Sequence, residues 1–328
     1  MINIRNIIAI LILASSNLVL GQDMHFTQFY SSSVYLNPAF TGAGVCSRVS
    51  LTHRNQWSGV STSYSSTLVS FDHYIKKQNL GIGLIVGKDV AGSGSLSRTI
   101  INPLFAYELK VNRKLGIRFG VQPGFAISSI NFDELVFGDQ IARGGNVSTI
   151  ESAPQNVYYF DAGAGVLAFA EQYWLGVSFF HLNSPIEAFY SSNEATLPLK
   201  YSLHGGYKFL LEEEGKSVSL AFNYRGQKKY DQFDIGAYYT KDFFNIGLWY
   251  RGIPGMKSYA PGYSNNDAIA IIIGVKTDRM NIGYSYDYTI SRLQNSASHG
   301  SHEITLSYQL CNISKKRGRR MFVACPSF

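Results

Sequence analysis

Between positions 279 and 290 the chain alternates without a break, with Met280, Ile282, Tyr284, Tyr286, Tyr288 and Ile290 on one side and Asn281, Gly283, Ser285, Asp287 and Thr289 on the other. A period of two describes an extended strand with one apolar and one polar face, whereas a helix would scatter both sets around its circumference. The same pattern sets Leu80, Ile82, Leu84 and Val86 against Gly81, Gly83 and Gly87, with Ile85 out of step. It recurs as Leu115, Ile117, Phe119 and Val121 against Gly116, Arg118, Gly120 and Gln122, and as Val218, Leu220, Phe222 and Tyr224 against Ser217, Ser219, Asn223 and Arg225.

Extended along the chain, this pattern predicts strands over 45–57, 62–76, 79–88, 97–111, 114–129, 156–170, 172–182, 199–211, 216–225, 230–240, 243–252, 267–277, 279–290 and 301–310. A soluble sandwich would use the same letters, so alternation alone does not choose an architecture. Loop lengths do. The connections at 77–78, 112–113, 171, 212–215, 241–242 and 278 are tight. Those between them, such as 130–155, 183–198 and 253–266, are mostly long and rich in Gly, Ser, Asn and Pro. Tight turns at every second connection describe an up-and-down meander whose two rims differ, as in bacterial outer-membrane barrels, and not the crossing connections of a sandwich.

Composition then decides the solvent. Tyr 22, Phe 21 and Gly 31 stand beside only 16% charged residues, below the roughly 25% of soluble domains. The longest apolar run beyond the opening residues, 268–275, falls well short of the ~20 residues of a membrane helix. A membrane span must therefore be built from strands. Hydrocarbon offers no partner to a free N–H or C=O, so a spanning sheet has to close on itself. The expected fold is all-β, a transmembrane antiparallel up-and-down β-barrel of about fourteen strands. Its even count returns both mature termini to one side, the periplasm. Residues 1–21, with Arg5 followed by the apolar stretch from Ile7 to Leu13, read as a secretory signal. The domain reading is thus signal peptide 1–21, a periplasmic or lumenal plug-like segment 22–44, barrel 45–311 and basic periplasmic tail 312–328.

Candidate chemistry is sparse. The seven histidines are dispersed, no C-x-x-C or H-E-x-x-H occurs, and Gly81-Ile82-Gly83 and Gly163-Ala164-Gly165 lie inside strands with no helix to form a phosphate cradle. The chain is expected to be no enzyme, with no catalytic, cofactor-binding or metal residues. Three cysteines in an oxidising compartment permit one disulfide. Cys46 opens the first strand and Cys311 ends the last, which closure makes neighbours, and Cys325 is the alternative partner of either. Lys315, Lys316, Arg317, Arg319 and Arg320 supply five of the 29 Lys and Arg. Without interleaved aromatics they suit an anionic periplasmic partner and not nucleic acid.

The run Gln22-Asp23-Met24-His25-Phe26-Thr27-Gln28-Phe29-Tyr30, followed by Tyr35-Leu36-Asn37-Pro38-Ala39-Phe40-Thr41-Gly42, Cys46, Arg54-Asn55-Gln56-Trp57 and the closing Cys325-Pro326-Ser327-Phe328, resembles the PorP/SprF family of the type IX secretion and gliding apparatus of Bacteroidota. Met24 and His25 depart from a more Pro-rich form of the first motif. The resemblance implies an outer-membrane component of that machinery that helps export or anchor a large surface adhesin bearing a type IX C-terminal domain. Its partners would be outer-membrane lipid, the adhesin and periplasmic secretion or motor components. Within the motifs, Asn37-Pro38 reads as a fixed turn, because proline sets its own φ near −65° and drives the residue before it into extended geometry. Arg54 and Gln56 alternate with Asn55 and Trp57, so one pair faces the lumen. They either brace the first strand against the plug-like segment or bind a partner. Two other readings compete: a porin or FadL-like transporter, whose lumen would use small residues such as Gly81, Gly83, Ser217, Ser219, Gly283 and Ser285 to make room for water, and a lipase with its triad in the barrel wall.

Overall fold

The structure, a computed structural model, describes residues 23–44, 46–60, 63–92, 96–131, 135–145, 155–189, 195–213, 215–228, 230–253 and 265–311. The signal peptide reading, Cys325 and the basic cluster 315–320 lie outside the described residues.

Fourteen strands form the wall: β1 Arg48–Gln56, β2 Tyr64–Ile75, β3 Leu80–Ala91, β4 Leu96–Lys110, β5 Gly116–Ile130, β6 Asn156–Phe169, β7 Tyr173–Phe180, β8 Lys200–Leu210, β9 Lys216–Gln227, β10 Tyr230–Lys241, β11 Phe244–Ile253, β12 Asn265–Lys276, β13 Met280–Thr289 and β14 Ser301–Gln309. Each pairs antiparallel with its sequence neighbours, and β1 pairs with β14 from Arg48↔Gln309 to Gln56↔Ser301, which closes the barrel. No edge is left unpaired. No helix among the described residues is long and apolar enough to cross a membrane, so hydrocarbon is met by strands alone.

The wall is oily outside and polar inside. Val69, Leu84, Phe119, Leu248 and Ile271 are exposed on the outer face, while Arg54, Asp72, Glu108, Arg118, Asp287 and Glu303 are buried within. This inverts the arrangement of a soluble sheet protein and fixes the surroundings as lipid. Expected strand ends agree with the observed ones to within three residues. Ile85, out of step with its neighbours in the sequence, points inward and is fully buried. Its apolarity has a lumenal cause: residues 23–44 fill the barrel with a core of their own, to which Ile85, Leu68, Leu104, Leu167, Trp174 and Trp249 contribute from the wall.

The two rims differ as expected. Tight turns link β2 to β3, β4 to β5, β6 to β7, β8 to β9, β10 to β11 and β12 to β13, and the ends of β1 and β14 nearest the termini share that rim. The expected common side of the mature termini concerns residues 22 and 312–328, which lie outside the described residues. Asp23 contacts Arg98, His181 and Lys200, which sit at the long-loop ends of β4, β7 and β8. The N-terminal segment therefore enters at the long-loop rim and descends through the lumen to β1. Asp23 and Cys311, the ends of the described chain, are at opposite rims. Strand parity governs only the barrel, and a plug crossing the lumen adds one more traverse.

At the tight-turn rim Cys46 and Cys311 form a disulfide with Cα atoms 5.7 Å apart, joining the two strands whose pairing closes the wall. Peptide mapping under non-reducing conditions should release the Cys46 peptide joined to that of Cys311, separable only by a reductant. Recovery of Cys46 joined to Cys325 would contradict this pairing.

Candidate functional site

Residues 23–44 lack the sustained alternation of a strand, and their aromatics recur too irregularly for a helix longer than a turn. They adopt short turns instead, with a one-turn helix Ser33–Leu36 and a 3-10 turn Pro38–Phe40. Phe26, Phe29, Tyr30, Val34, Leu36 and Phe40 are buried against the wall. Tyr30 meets Trp174 edge to face at 5.6 Å, Phe29 meets Trp249 likewise at 4.9 Å, and the Tyr30 hydroxyl donates to the carbonyls of Gly205 or Phe222. Such packing makes the segment part of the fold, and four polar anchors fix its position.

The first is the Asn-Pro motif. Asn37 is extended at φ −156°, as proline requires of the residue before it, and Pro38 opens the 3-10 turn. The Asn37 carbonyl Oδ1 accepts from Ala39 N at 2.8 Å, while its Nδ2 donates to the carbonyls of Val166 and Val177, each at 3.1 Å. One amide thus caps the turn and staples it to β6 and β7. Gly165 and Gly176 face this amide, and Gly120 faces the backbone of Pro38 and Ala39 so closely that a methyl group would claim the same space. These lumenal glycines accommodate the plug, as do Gly81 against Thr41 and Gly283 against Gln28. They leave no water channel there.

The second anchor is Arg118, buried, whose Nε donates to the Ala39 carbonyl at 2.9 Å and whose Nη2 donates to that of Thr41. Its Nη1 meets Glu108 at 2.6 Å.

The third is built around Thr27. Glu303 accepts from the backbone N–H groups of Thr27 and Gln28 at 2.6 and 2.8 Å. The Thr27 hydroxyl donates to Asp287 at 2.6 Å and accepts from Arg54 at 2.6 Å and Arg251 at 2.9 Å. Arg54 also reaches Asp287 at 2.9 Å and Glu303 at 3.3 Å, and Arg251 bridges Asp287 and Asp234. Opposed charges so deeply buried hold only because each has partners, so the plug and five strands, β1, β10, β11, β13 and β14, are interlocked.

The fourth is at the long-loop mouth. Asp23 accepts from Arg98, Lys200 and His181 at 3.0, 3.0 and 2.9 Å, and His181 Nδ1 is 3.0 Å from Asp161. Glu187, from the loop after β7, pairs with Arg98 at 2.5 Å, and Leu197 of the same loop is buried against Ala126 and Tyr159. The described part of that loop thus folds into the mouth. Beside Asp23 lies a cavity of about 40 Å³, large enough for a few waters, lined also by Tyr35, Asn102 and Gln122.

Of the residues singled out in the sequence, the structure brings Asn37, Pro38 and Arg54 together with the plug. Gln56 shares Arg54's inward parity, Asn55 points the other way, and Trp57 has left the strand with φ +57° to stack edge to face on Tyr64 at the long-loop rim. Asp23, Thr27, Arg118, Arg251, Asp287 and Glu303 were not anticipated. A charge in mid-strand on the polar face was the available sign. Among the described residues no group of three or more His, Cys, Asp or Glu is disposed to hold a metal.

A family model described as "Type IX secretion system membrane protein PorP/SprF" matches residues 19–308. The chain belongs to the PorP/SprF family. It is an outer-membrane β-barrel component of type IX secretion. No curated protein matches it. Among solved structures, it is similar to the outer-membrane protein Omp33 of Acinetobacter baumannii (6% identity, covering 82% of this chain and 100% of that one, TM-score 0.45). It is also similar to the CymD monoaromatic hydrocarbon channel (11%, 85% and 93%, 0.48) and the toluene transporter TodX of Pseudomonas putida (10%, 88% and 93%, 0.44). At those values nothing about what these proteins carry passes to this PorP/SprF chain.

Ionisation explains how the mouth holds. Burial opposes the charge on Asp23, but Lys200, His181 and Arg98 outweigh it and keep the carboxyl well below its usual range. Burial likewise disfavours charged His181, yet Asp23 and Asp161 raise it to about 9. His25, half-buried in the plug, accepts from Arg225.

Two measurements follow from this geometry. Arg54→Met leaves Asp287 and Glu303 short of a buried partner, a loss of about 3–5 kcal/mol. It should lower the unfolding temperature and open the segment 23–44 to protease; unchanged protection would show that the clamp is idle. The second concerns pH. A raised His181 contributes fully below its ordinary value near 6.5 and loses that contribution as pH climbs through about 9. A lowered Asp23 contributes above its ordinary value near 3.9 and loses it as pH falls further. The unfolding temperature should therefore drop between pH 8 and 10 by more in the wild type than in His181→Gln, and equal drops would exclude His181 as the cause.

Proposed function

We propose that this PorP/SprF protein is a plugged outer-membrane platform that helps export or anchor a large surface adhesin carrying a type IX C-terminal domain. The observation that supports it is the filled lumen: a segment pinned at Asn37, Arg118, Thr27 and Asp23 suits a rigid docking body better than a conduit. The tight-turn rim would face the periplasm and the long-loop rim the exterior, following the usual asymmetry of bacterial barrels. On the outer side the loop between β5 and β6 offers a docking surface, with Val136 and Ile141 exposed in a stretch that also forms a one-turn helix, Gly138–Ala142. Val136 and Ile141 would supply apolar contacts to such a surface. In the periplasm the basic cluster Lys315, Lys316, Arg317, Arg319 and Arg320 would meet anionic secretion or motor components.

Deleting the gene should leave the adhesin undelivered or shed into the medium, as judged by antibody labelling of intact cells; undiminished surface display would argue against the proposal. Planar-bilayer recording separates the platform from a porin or FadL-like channel. The purified barrel should give no steady open-pore current, whereas a large constant conductance would favour the transport reading.

A further inference from the structure

Two turns of the tight-turn rim, between β2 and β3 and between β4 and β5, carry Lys76, Lys77, Lys110, Arg113 and Lys114, all exposed. None of the five makes an ion pair among the described residues. Neither turn contains a carboxylate. Each of the other four turns of that rim does, namely Glu171, Glu212 with Glu213, Asp242 and Asp278. The two cationic turns are side by side, because Leu80 pairs with Tyr107 and the carbonyl of Asn79 accepts from Glu108 N at 2.9 Å.

Strand parity separates the possible neighbours of this lip. Phe105, Tyr107, Leu109 and Val111 carry the outer, oily face right up to the turn. Lys110 shares the opposite, lumenal parity with Glu108, which is bonded to Arg118 inside the barrel. Lys110, the last residue of β4, thus lies on the side away from lipid headgroups, and Lys76, Lys77, Arg113 and Lys114 stand in the turns themselves.

We propose that this lip is a docking site for the carboxylate-rich face of a soluble protein on that side of the membrane. Single exposed charges contribute little. Five of one sign, with no carboxylate in either turn, make a patch that steers an acidic surface and sets its orientation, because every other turn of the rim carries at least one carboxylate. The inference stands on the rim alone, so it is independent of the adhesin reading and of which compartment the rim faces.

The test uses the full-length protein in nanodiscs of zwitterionic lipid and a fluorescent poly-glutamate peptide as probe. Changing Lys76, Lys77, Lys110, Arg113 and Lys114 to Gln should weaken binding at least tenfold and flatten its salt dependence. Changing Lys315, Lys316, Arg317, Arg319 and Arg320 to Gln alters the net charge equally and should cost far less. Lys77→Gln with Arg113→Gln, confined to the turns, should weaken binding severalfold and serves if the fivefold variant does not fold. Equal losses for the lip and the tail variants, or no loss for the lip, would overturn the proposal. So would a lip variant that binds poly-glutamate normally but loses affinity for phosphatidylglycerol vesicles, since the patch would then belong to the lipid.

Discussion

The closing ladder between β1 and β14 is the interaction on which everything else depends. In hydrocarbon an unpaired peptide group costs several kcal/mol, so a sheet with two free margins could not occupy this environment. Nine consecutive pairs from Arg48↔Gln309 to Gln56↔Ser301 satisfy the margins that would otherwise be bare. The Cys46–Cys311 bridge joins the same two strands at the rim. Once the wall is closed, its outer face is committed to lipid and its inner face to whatever occupies the lumen.

What occupies it is the chain's own N-terminal segment, and this accounts for two features that a water-filled barrel would not need. Large apolar side chains, among them Trp174, Trp249, Leu104 and Ile272, turn inward because they complete the core of the plug. Charged side chains inside the lumen are desolvated yet paired, Arg54 with Asp287 and Glu303, and Arg118 with Glu108. Replacing a buried ion pair by apolar residues is often no worse for stability, so an interlocked network of this size speaks for positional specificity. Each of the four anchors fixes a different level of the segment, from Asp23 at the long-loop mouth to Thr41 near the opposite rim.

The family motifs acquire separate physical meanings in this setting. Asn37 works as a bracket between plug and wall and Arg54 as a clamp on Thr27, while Trp57 belongs to the rim and touches neither. A fixed plug, a mouth partly covered by the loop bearing Glu187 and Leu197, and exposed apolar side chains on the loop between β5 and β6 are the features on which the proposed platform role rests. They fit an outer-membrane component of type IX secretion.

The strands, their number and the tight turns were legible in the sequence, because a period of two and a turn of a few residues are local properties set by backbone geometry and side-chain polarity. The lipid-facing exterior was legible as well, since low charge together with no membrane-length apolar run leaves only a closed sheet. The Asn37-Pro38 turn could be read from proline stereochemistry, and Arg54 from its parity. The path of residues 23–44 could not. Its contacts join positions more than a hundred residues apart, such as Asn37 with Val166 and Thr27 with Glu303, and nothing local specifies which wall carbonyl or carboxylate a plug group will meet. For that reason Ile85 looked like an irregularity and the lumenal glycines looked like space for water. Only the tertiary structure, by filling the lumen, assigned each of them a role.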